Sequence, residues 1–182
     1  GLTNVTGESK TELTEIVMEN GEVFERVLKR YAEQDSTDPS VMKAVLRDVS
    51  YYAPAEVYGI ALSGHGTGWF PPELNNLRQP RSGEPRIEHD LRRPENALTR
   101  AYGPDGDEYM SAEGLAEGLA EIYFDYVIFD VCFMSSIELL YELKDNARYM
   151  LVSPAEILGQ GIPYHKVLPL LLSRDYPLDR RL

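Results

Sequence analysis

Three short apolar stretches of strand type limit the fold of this 182-residue chain most strongly. They cover residues 57–62, 126–131 and 149–152, and runs of this kind are typical of strands that are buried on both faces. Helix signals alternate with these stretches. A helix is predicted to start at residues 36–38, with Pro39 in its first turn, and another after a cap at Ser111. A capping box of Ser135 with Glu138 predicts a third helix, and the apolar stretch at 163–172 predicts a fourth. Strands that alternate with helices predict an α/β fold with a mainly parallel central sheet, covered on both faces.

Two other segments do not fit this alternation. The pair Asn20-Gly21 is a strong type I′ turn signal and predicts a β-hairpin of residues 12–18 and 22–31, although the second segment also fits a helical period. Residues 71–109 are crowded with proline and arginine, which predicts a long exposed loop with few side chains in a core. The length predicts one domain, residues 1–182.

Charge and composition exclude several classes of function. A net charge of −12 argues against nucleic acid or anionic lipid as a partner, and no apolar run approaches the roughly 18 residues of a membrane span. The single cysteine, Cys132, excludes an internal disulfide and a multi-cysteine metal site, and the acidic residues are too scattered for an EF-hand. No signal peptide is visible. Gly1 is not an initiating residue, which is consistent with removal of an export signal.

Two reactive side chains follow two of the buried stretches. His65 lies just after the first and Cys132 just after the second. Active sites of open parallel sheets lie at the carboxyl ends of the strands, so neighbouring strands would bring these side chains together. A nearby imidazole and a helix N-terminus both favour the thiolate, and the amides of Gly66 and Cys132 would stabilise an oxyanion. The pattern predicts the Cys–His dyad of a cysteine hydrolase.

Each of these residues also has a purely structural interpretation. A lone cysteine is often a small buried hydrophobe, and His65 can be a loop residue that binds backbone groups. Asp130 lies on the same side of its strand as Cys132, where a carboxylate would select arginine or lysine. It can equally accept hydrogen bonds from loop amides only. A redox-sensing domain is a further alternative, for which a lone cysteine without a resolving partner is poor support.

At these residues the sequence resembles the clostripain family of cysteine peptidases, in the caspase-like clan. The stretch at 62–69, LSGHGTGW, is similar to the family's histidine motif, and the stretch at 129–138, FDVCFMSSIE, is similar to its cysteine motif. Further similarity lies in YAEQDS (31–36), SPAE (153–156) and GIPY (161–164). The order of histidine before cysteine also suits the clan.

The resemblance implies a caspase-like three-layer α/β sandwich that cleaves peptides and proteins after arginine, or less often lysine. His65 would be the general base and Cys132 the nucleophile, Gly66 and Cys132 would form the oxyanion hole, and Asp130 would line the pocket for the basic residue. A non-catalytic relative that uses the same fold to bind proteins is the alternative. Family members begin with a strand and helix before the material seen in this chain and continue beyond it, which implies a partial domain.

The resemblance also bears on processing, cofactors and location. Members are commonly secreted by bacteria and matured by cleavage between the histidine and the cysteine. Arginines at 78–100 lie in that interval, and Arg100-Ala101 is the bond we expect to be cut. No cofactor is required, and calcium is the one that the resemblance allows. A secreted or cell-envelope location is expected.

Overall fold

The computed structural model describes residues 11–32, 34–64, 66, 101–105, 108–157 and 161–173, together with 175, 177 and 180. In chain order the elements are β1 (Thr11–Glu19), β2 (Glu22–Tyr31), α1 (Pro39–Tyr52), β3 (Gly59–Ser63), β4 (Ala101–Asp105), β5 (Glu108–Ser111), α2 (Ala112–Leu119), β6 (Phe124–Asp130), α3 (Ile137–Glu142), β7 (Ala147–Leu151) and α4 (Tyr164–Leu171).

The three predicted buried strands form one parallel sheet. Their order is β3-β6-β7, so β6 lies in the middle. Gly59 pairs with Tyr126 and Ser63 pairs with Asp130, so that β3 and β6 end at the same level. The ring of Tyr126 lies directly over Gly59, where any larger side chain would overlap it. The predicted parallel arrangement is confirmed.

Two helices begin where short polar side chains predicted them. The Asp38 carboxylate accepts a hydrogen bond from the Ser40 amide at 2.8 Å, and Pro39 occupies the first turn of α1. The Ser111 hydroxyl accepts one from the Gly114 amide at 3.0 Å and starts α2. Each cap satisfies an amide that has no partner within its own helix.

Helices α1 and α2 pack closely because a glycine faces a methionine. A Cβ on Gly118 would lie 2.8 Å from the sulfur of Met42 and 3.1 Å from its Cβ, so a larger residue would require Met42 or the helices to shift. A salt bridge of 2.7 Å joins Lys43 of α1 to Glu117 of α2, and one of 2.9 Å joins Arg47 of α1 to Glu121 in the turn that follows α2.

The core lies around β6 and the helices after β5. Its largest fully buried side chains come from β5, α2, β6, α3 and the turns that follow β6 and α3: Met110, Leu115, Leu119, Phe124, Val127, Ile128, Phe129, Val131, Met134, Leu139 and Leu143. Burial of apolar area at about 25 cal/mol per Å² makes this cluster the main stabilising element of the described chain.

Strands β1 and β2 form a separate antiparallel hairpin. Asn20 and Gly21 have φ values of 54° and 82°, as a type I′ turn requires, so the predicted hairpin is confirmed and the helical alternative for residues 22–31 is wrong. The Asp48 carboxylate of α1 accepts hydrogen bonds from Lys29 at 2.6 Å and Tyr31 at 2.7 Å, which connect the hairpin to the helix.

Strands β4 and β5 correct the predicted extent of the exposed loop. Residues 101–105 pair antiparallel with 108–111, so residues 101–105 and 108–109 belong to strands rather than to the predicted loop. Tyr102 packs against the core with its ring edge-on to Phe129, which composition alone did not indicate. The rest of the predicted loop, residues 71–100 and 106–107, lies outside the described residues.

Candidate active site

The two candidate motifs leave the sheet at one edge and at one level. Ser63 and Asp130 are the last residues of β3 and β6 and pair with each other across the sheet. The histidine motif continues from Ser63 and the cysteine motif from Asp130. The pairing register of β3 with β6 therefore brings the two motifs to neighbouring strand ends, as predicted.

Gly66 is the point where the two motifs contact each other. A Cβ on Gly66 would lie 2.5 Å from the carbonyl oxygen of Cys132 and 2.6 Å from Cγ1 of Val131. Real Cβ atoms do not approach other atoms so closely, so glycine is needed for the main chains to meet here. Gly66 also forms an isolated β-bridge with Tyr102, which brings the β4–β5 hairpin to the same place.

His65, the predicted general base, lies outside the described residues. Its chain neighbours Gly64 and Gly66 are described, and Gly66 lies against the main chain of Cys132. The pairing of His65 with Cys132 therefore remains a prediction, as does the oxyanion hole of Gly66 and Cys132.

Cys132 is half-buried and contacts the segment that follows β7. The amide of Ile157 donates a hydrogen bond to its sulfur at 3.3 Å, and the carbonyl oxygen of Ile157 lies 3.8 Å from the same sulfur. The next residue, Phe133, has a φ of 60°, which is uncommon for any residue other than glycine. Such conformations cluster at functional sites, where the surrounding structure holds them.

The helix after the cysteine begins one residue later than the sequence predicted. The Ser136 hydroxyl accepts a hydrogen bond from the Leu139 amide at 3.4 Å and caps α3, so the predicted capping box of Ser135 with Glu138 is wrong. The Ser135 amide instead donates to the carbonyl of Ser153 at 3.2 Å. This long-range hydrogen bond fixes Ser135 in the turn and shifts the cap.

Asp130 is buried, with 8% of its surface exposed. The amide of Ile162 lies 3.1 Å from each of its carboxylate oxygens, and Gly161, at a φ of 65°, comes so close that a Cβ would lie 2.5 Å from Oδ2. Burial, the charge of Asp130 and a hydrogen bond to it raise the pKa of Tyr164 to about 12. Of the two alternatives for Asp130, the bond to a loop amide is thus present, and the pocket role stays a prediction.

Tyr102 connects the β4–β5 hairpin to the end of β3. Its hydroxyl donates to the carbonyl of Ser63 at 3.3 Å, and burial raises the pKa of the phenol to about 12. The ring meets Phe129 edge-on, with 6.5 Å between centroids. Tyr102 therefore binds the end of β3, from which the histidine motif continues.

The remaining site predictions fall partly outside the described chain. Arg100 is not described, whereas Ala101 begins β4 and pairs with Ser111. Within the described residues, no group of three or more His, Cys, Asp or Glu side chains is placed to hold a metal ion. None of the helices in the described part of the chain has the length and hydropathy of a membrane span.

Sequence reasoning missed the role of the segment after β7. Ile157 acts through its main-chain amide, which every residue except proline carries, so no side-chain pattern identifies it. Tyr164 had a signal, because the GIPY stretch carried part of the family resemblance. Its contact with Asp130, however, depends on how the chain returns to the end of β6.

Comparison with known proteins supports the same family. The clostripain family model matches residues 92–179, which include Cys132 and Asp130. No sequence among the curated proteins matches this chain. The family match therefore covers the cysteine motif, and the histidine motif lies outside it.

Solved structures of C11 cysteine proteases share the fold. A secreted enzyme from Bacteroides thetaiotaomicron, in complex with an irreversible peptide inhibitor, is 29% identical with a TM-score of 0.71, over 93% of this chain and 42% of its own. A structure of "iotapain" from the same organism is 28% identical with a TM-score of 0.73, over 94% and 46%. An inactive zymogen from Parabacteroides distasonis is 27% identical with a TM-score of 0.67, over 90% and 40%.

This chain thus spans less than half the length of each of these proteins. Within that part, its parallel sheet and the helices around it follow the architecture of the C11 enzymes. These findings confirm the resemblance to the clostripain family that the two motifs predicted, and the chain has the caspase-like α/β fold of the C11 cysteine proteases.

Proposed function

We infer that this chain forms the catalytic region of a cysteine endopeptidase, with Cys132 as nucleophile and His65 as general base. The observation that carries this inference is the contact between the two motifs. Gly66, next to His65, lies against the carbonyl of Cys132 at the carboxyl ends of two parallel strands. In a chain with the C11 fold, this is where a Cys–His dyad would act.

The reaction that we assign is acyl transfer through a thioester. The Cys132 thiolate attacks the carbonyl carbon of the scissile bond, and the amides of Gly66 and Cys132 stabilise the oxyanion. The C–N bond then breaks as His65 gives its proton to the leaving amine. A water molecule, deprotonated by His65, attacks the thioester and releases the carboxylic acid and the thiol.

Asp130 is the residue that we assign to selection of arginine or lysine. An ionised carboxylate has about four lone-pair sites, enough to receive a guanidinium in addition to other donors. Ile162 and Tyr164 already bind this carboxylate and fix its orientation. A fixed, largely buried carboxylate at the strand end favours a cationic side chain over a neutral or acidic one.

Substrates, location and processing are extended from the relatives. The Bacteroides thetaiotaomicron enzyme is described as secreted and carries a peptide inhibitor, and we assign peptide substrates and a secreted or cell-envelope location to this chain too. The Parabacteroides distasonis protein is an inactive zymogen, which supports maturation by cleavage, for which Arg100-Ala101 is our candidate bond. Ala101 pairs with Ser111, so that pair would open before cleavage.

Hydrolysis of fluorogenic peptides tests the proposal. We expect wild type to release the fluorophore from arginyl and, more slowly, lysyl peptides, and Cys132→Ala to release none. Hydrolysis of none of them by wild type would refute the peptidase assignment, and binding without hydrolysis would favour a protein-binding module. Addition of calcium or a chelator to the same assay tests calcium dependence.

Two further variants test the pocket and the processing bond. Asp130→Asn should reduce cleavage after arginine by about tenfold or more, as expected when one partner of a charge-assisted pair is lost. Asp125→Asn, at the other end of the same strand, is the matched control and should leave cleavage after arginine unchanged.

The processing bond is tested by Arg100→Ala. If this variant leaves the fragments seen by intact mass unchanged, the assigned processing bond is wrong.

A further inference from the structure

We propose that the main-chain amide of Ile157 holds the sulfur of Cys132 in place and favours its thiolate form. The proposal rests on the function inferred above, in which Cys132 is the nucleophile. It adds a positioning residue outside both motifs. Its test measures the alkylation rate of the Cys132 thiol, so that the proposal can fail independently of peptidase activity.

The geometry at the sulfur supports both protonation states of Cys132. The Ile157 amide lies 3.3 Å from the sulfur and donates to it, which favours a negatively charged acceptor. The Ile157 carbonyl lies 3.8 Å from the sulfur, within reach of a neutral S–H donor. Loss of the thiol proton would therefore remove the weak bond to the carbonyl and strengthen the bond from the amide, without movement of the chain.

The main chain on both sides of this contact is fixed by further hydrogen bonds. The Phe133 amide donates to the carbonyl of Ala155 at 3.1 Å, and the Ser135 amide donates to that of Ser153 at 3.2 Å. Together with the bond from Ile157 to Cys132, they join residues 132–135 to residues 153–157 in antiparallel order. The segment after β7 thus runs along the cysteine turn as a strap.

This strap also holds the unusual backbone of the turn. Phe133, the residue directly after Cys132, has a φ of 60° and is therefore left-handed. Within the strap, the Ser153 hydroxyl accepts a hydrogen bond from the Ala155 amide at 3.2 Å. A left-handed residue persists when its surroundings over-determine it, and the bonds on both sides of Phe133 do so. The direction of the cysteine sulfur is therefore set by the strap.

Removal of one amide hydrogen tests the proposal. Ile157→Pro deletes the donor, and Ile157→Val retains it with a side chain of the same class. Because Cys132 is the only cysteine, iodoacetamide labels one site, and intact mass gives its alkylation rate directly. At neutral pH we expect Ile157→Pro to be alkylated about threefold more slowly than wild type, with less thiolate absorbance, and Ile157→Val to match wild type. Loss of a hydrogen bond lowers the thiolate fraction, and the greater nucleophilicity of the remaining thiolate offsets part of the effect.

A second variant separates this effect from misfolding. Replacement of residue 157 by the α-hydroxy analogue of isoleucine exchanges the amide N–H for an ester oxygen and keeps the side chain. If Ile157→Pro unfolds, the alkylation rate of this ester variant tests the proposal in its place. Equal alkylation rates for this variant and wild type would overturn the proposal. If wild type hydrolyses no peptide but the alkylation difference is found, the peptidase assignment fails while the Ile157 contact stands.

Discussion

The parallel sheet and the β1–β2 hairpin both carry apolar side chains on their strands, yet the sheet buries far more of them. The central strand β6 is almost entirely buried, whereas Ile16, Met18 and Val23 of the hairpin are 61%, 73% and 62% exposed. The hairpin depends on its turn, its backbone ladder and the hydrogen bonds that Lys29 and Tyr31 donate to Asp48 of α1. The candidate site stands on the sheet, where burial fixes positions. A site that needs fixed geometry is best placed on such rigid elements.

Truncation of a phenylalanine in each region should give the largest contrast. Phe129 in β6 is 1% exposed and Phe24 in β2 is 48% exposed. We expect Phe129→Ala to lower the free energy of unfolding by about 3–5 kcal/mol, since it leaves a cavity beside Tyr102. Phe24→Ala should lower it by less than about 1 kcal/mol. Urea unfolding of the two variants measures both values, and similar losses would contradict the contrast.

Gly66→Ala tests the contact between the two motifs. The new Cβ would meet the Cys132 carbonyl oxygen and Val131 Cγ1, neither of which is the flexible end of a long side chain. We expect a loss of about 3 kcal/mol in the free energy of unfolding, as is typical of overpacking, together with loss of peptide hydrolysis.

Gly114→Ala is the matched control for this substitution. Its Cβ would meet the Pro39 ring at 3.2 Å, the Ser111 hydroxyl at 3.3 Å and Met110 Cγ at 3.4 Å, contacts that a shift of a few tenths of an ångström relieves, inside a helix that alanine favours. We expect it to lose less than about 1 kcal/mol in the free energy of unfolding and to hydrolyse peptides as wild type does. A Gly66→Ala protein that is as stable and as active as this control would refute the close contact.

Tyr102→Phe should give a smaller effect that depends on pH. Burial raises the pKa of Tyr102 to about 12, above the value of about 10 in the unfolded chain. The neutral phenol therefore stabilises the fold fully below pH 10, and this contribution is lost as the pH rises to 12. Near pH 8, wild type should exceed Tyr102→Phe by about 1 kcal/mol through the bond to Ser63.

Between pH 10 and 12 this difference should shrink by about 2 kcal/mol and change sign. The other tyrosines titrate in both proteins, so the difference between their urea midpoints isolates Tyr102. A difference that stays constant across this range would show that Tyr102 is not buried against Phe129 as described.

Local chemistry explains which parts of the fold could be predicted. Asn20-Gly21, Asp38 and Ser111 act on amides within a few residues, so their turn and caps could be read from the sequence. The buried strands could be predicted because their apolar runs exclude other placements. In each case the residues that determine the local structure lie within the same turn, cap or strand.

The predictions were wrong where a residue distant in sequence determines the local structure. Ser135 has the chemistry of a cap, but its amide bonds Ser153, eighteen residues away, so Ser136 takes the cap. Residues 101–105 have the composition of a loop, yet pairing with β5 and the contact of Tyr102 with Phe129 make them a strand. The sequence nominates the side chains of the site, which remain a prediction, but it does not indicate the Ile157 amide, because a backbone donor has no sequence signature.

The smallest expected effect lies at the surface of the hairpin. Arg26 bonds Glu15 at 3.2 Å and Glu19 at 3.3 Å, and all three side chains are about half exposed. Ion pairs so open to water typically contribute a few tenths of a kcal/mol, because solvent screens them and side-chain entropy opposes them. We expect Arg26→Ala to lower the free energy of unfolding by less than about 0.5 kcal/mol, with a difference from wild type that decreases further at 1 M salt. A larger, salt-independent loss would show that Arg26 packs against the hairpin through its alkyl chain, and that this region has more of a core than its exposed strands indicate.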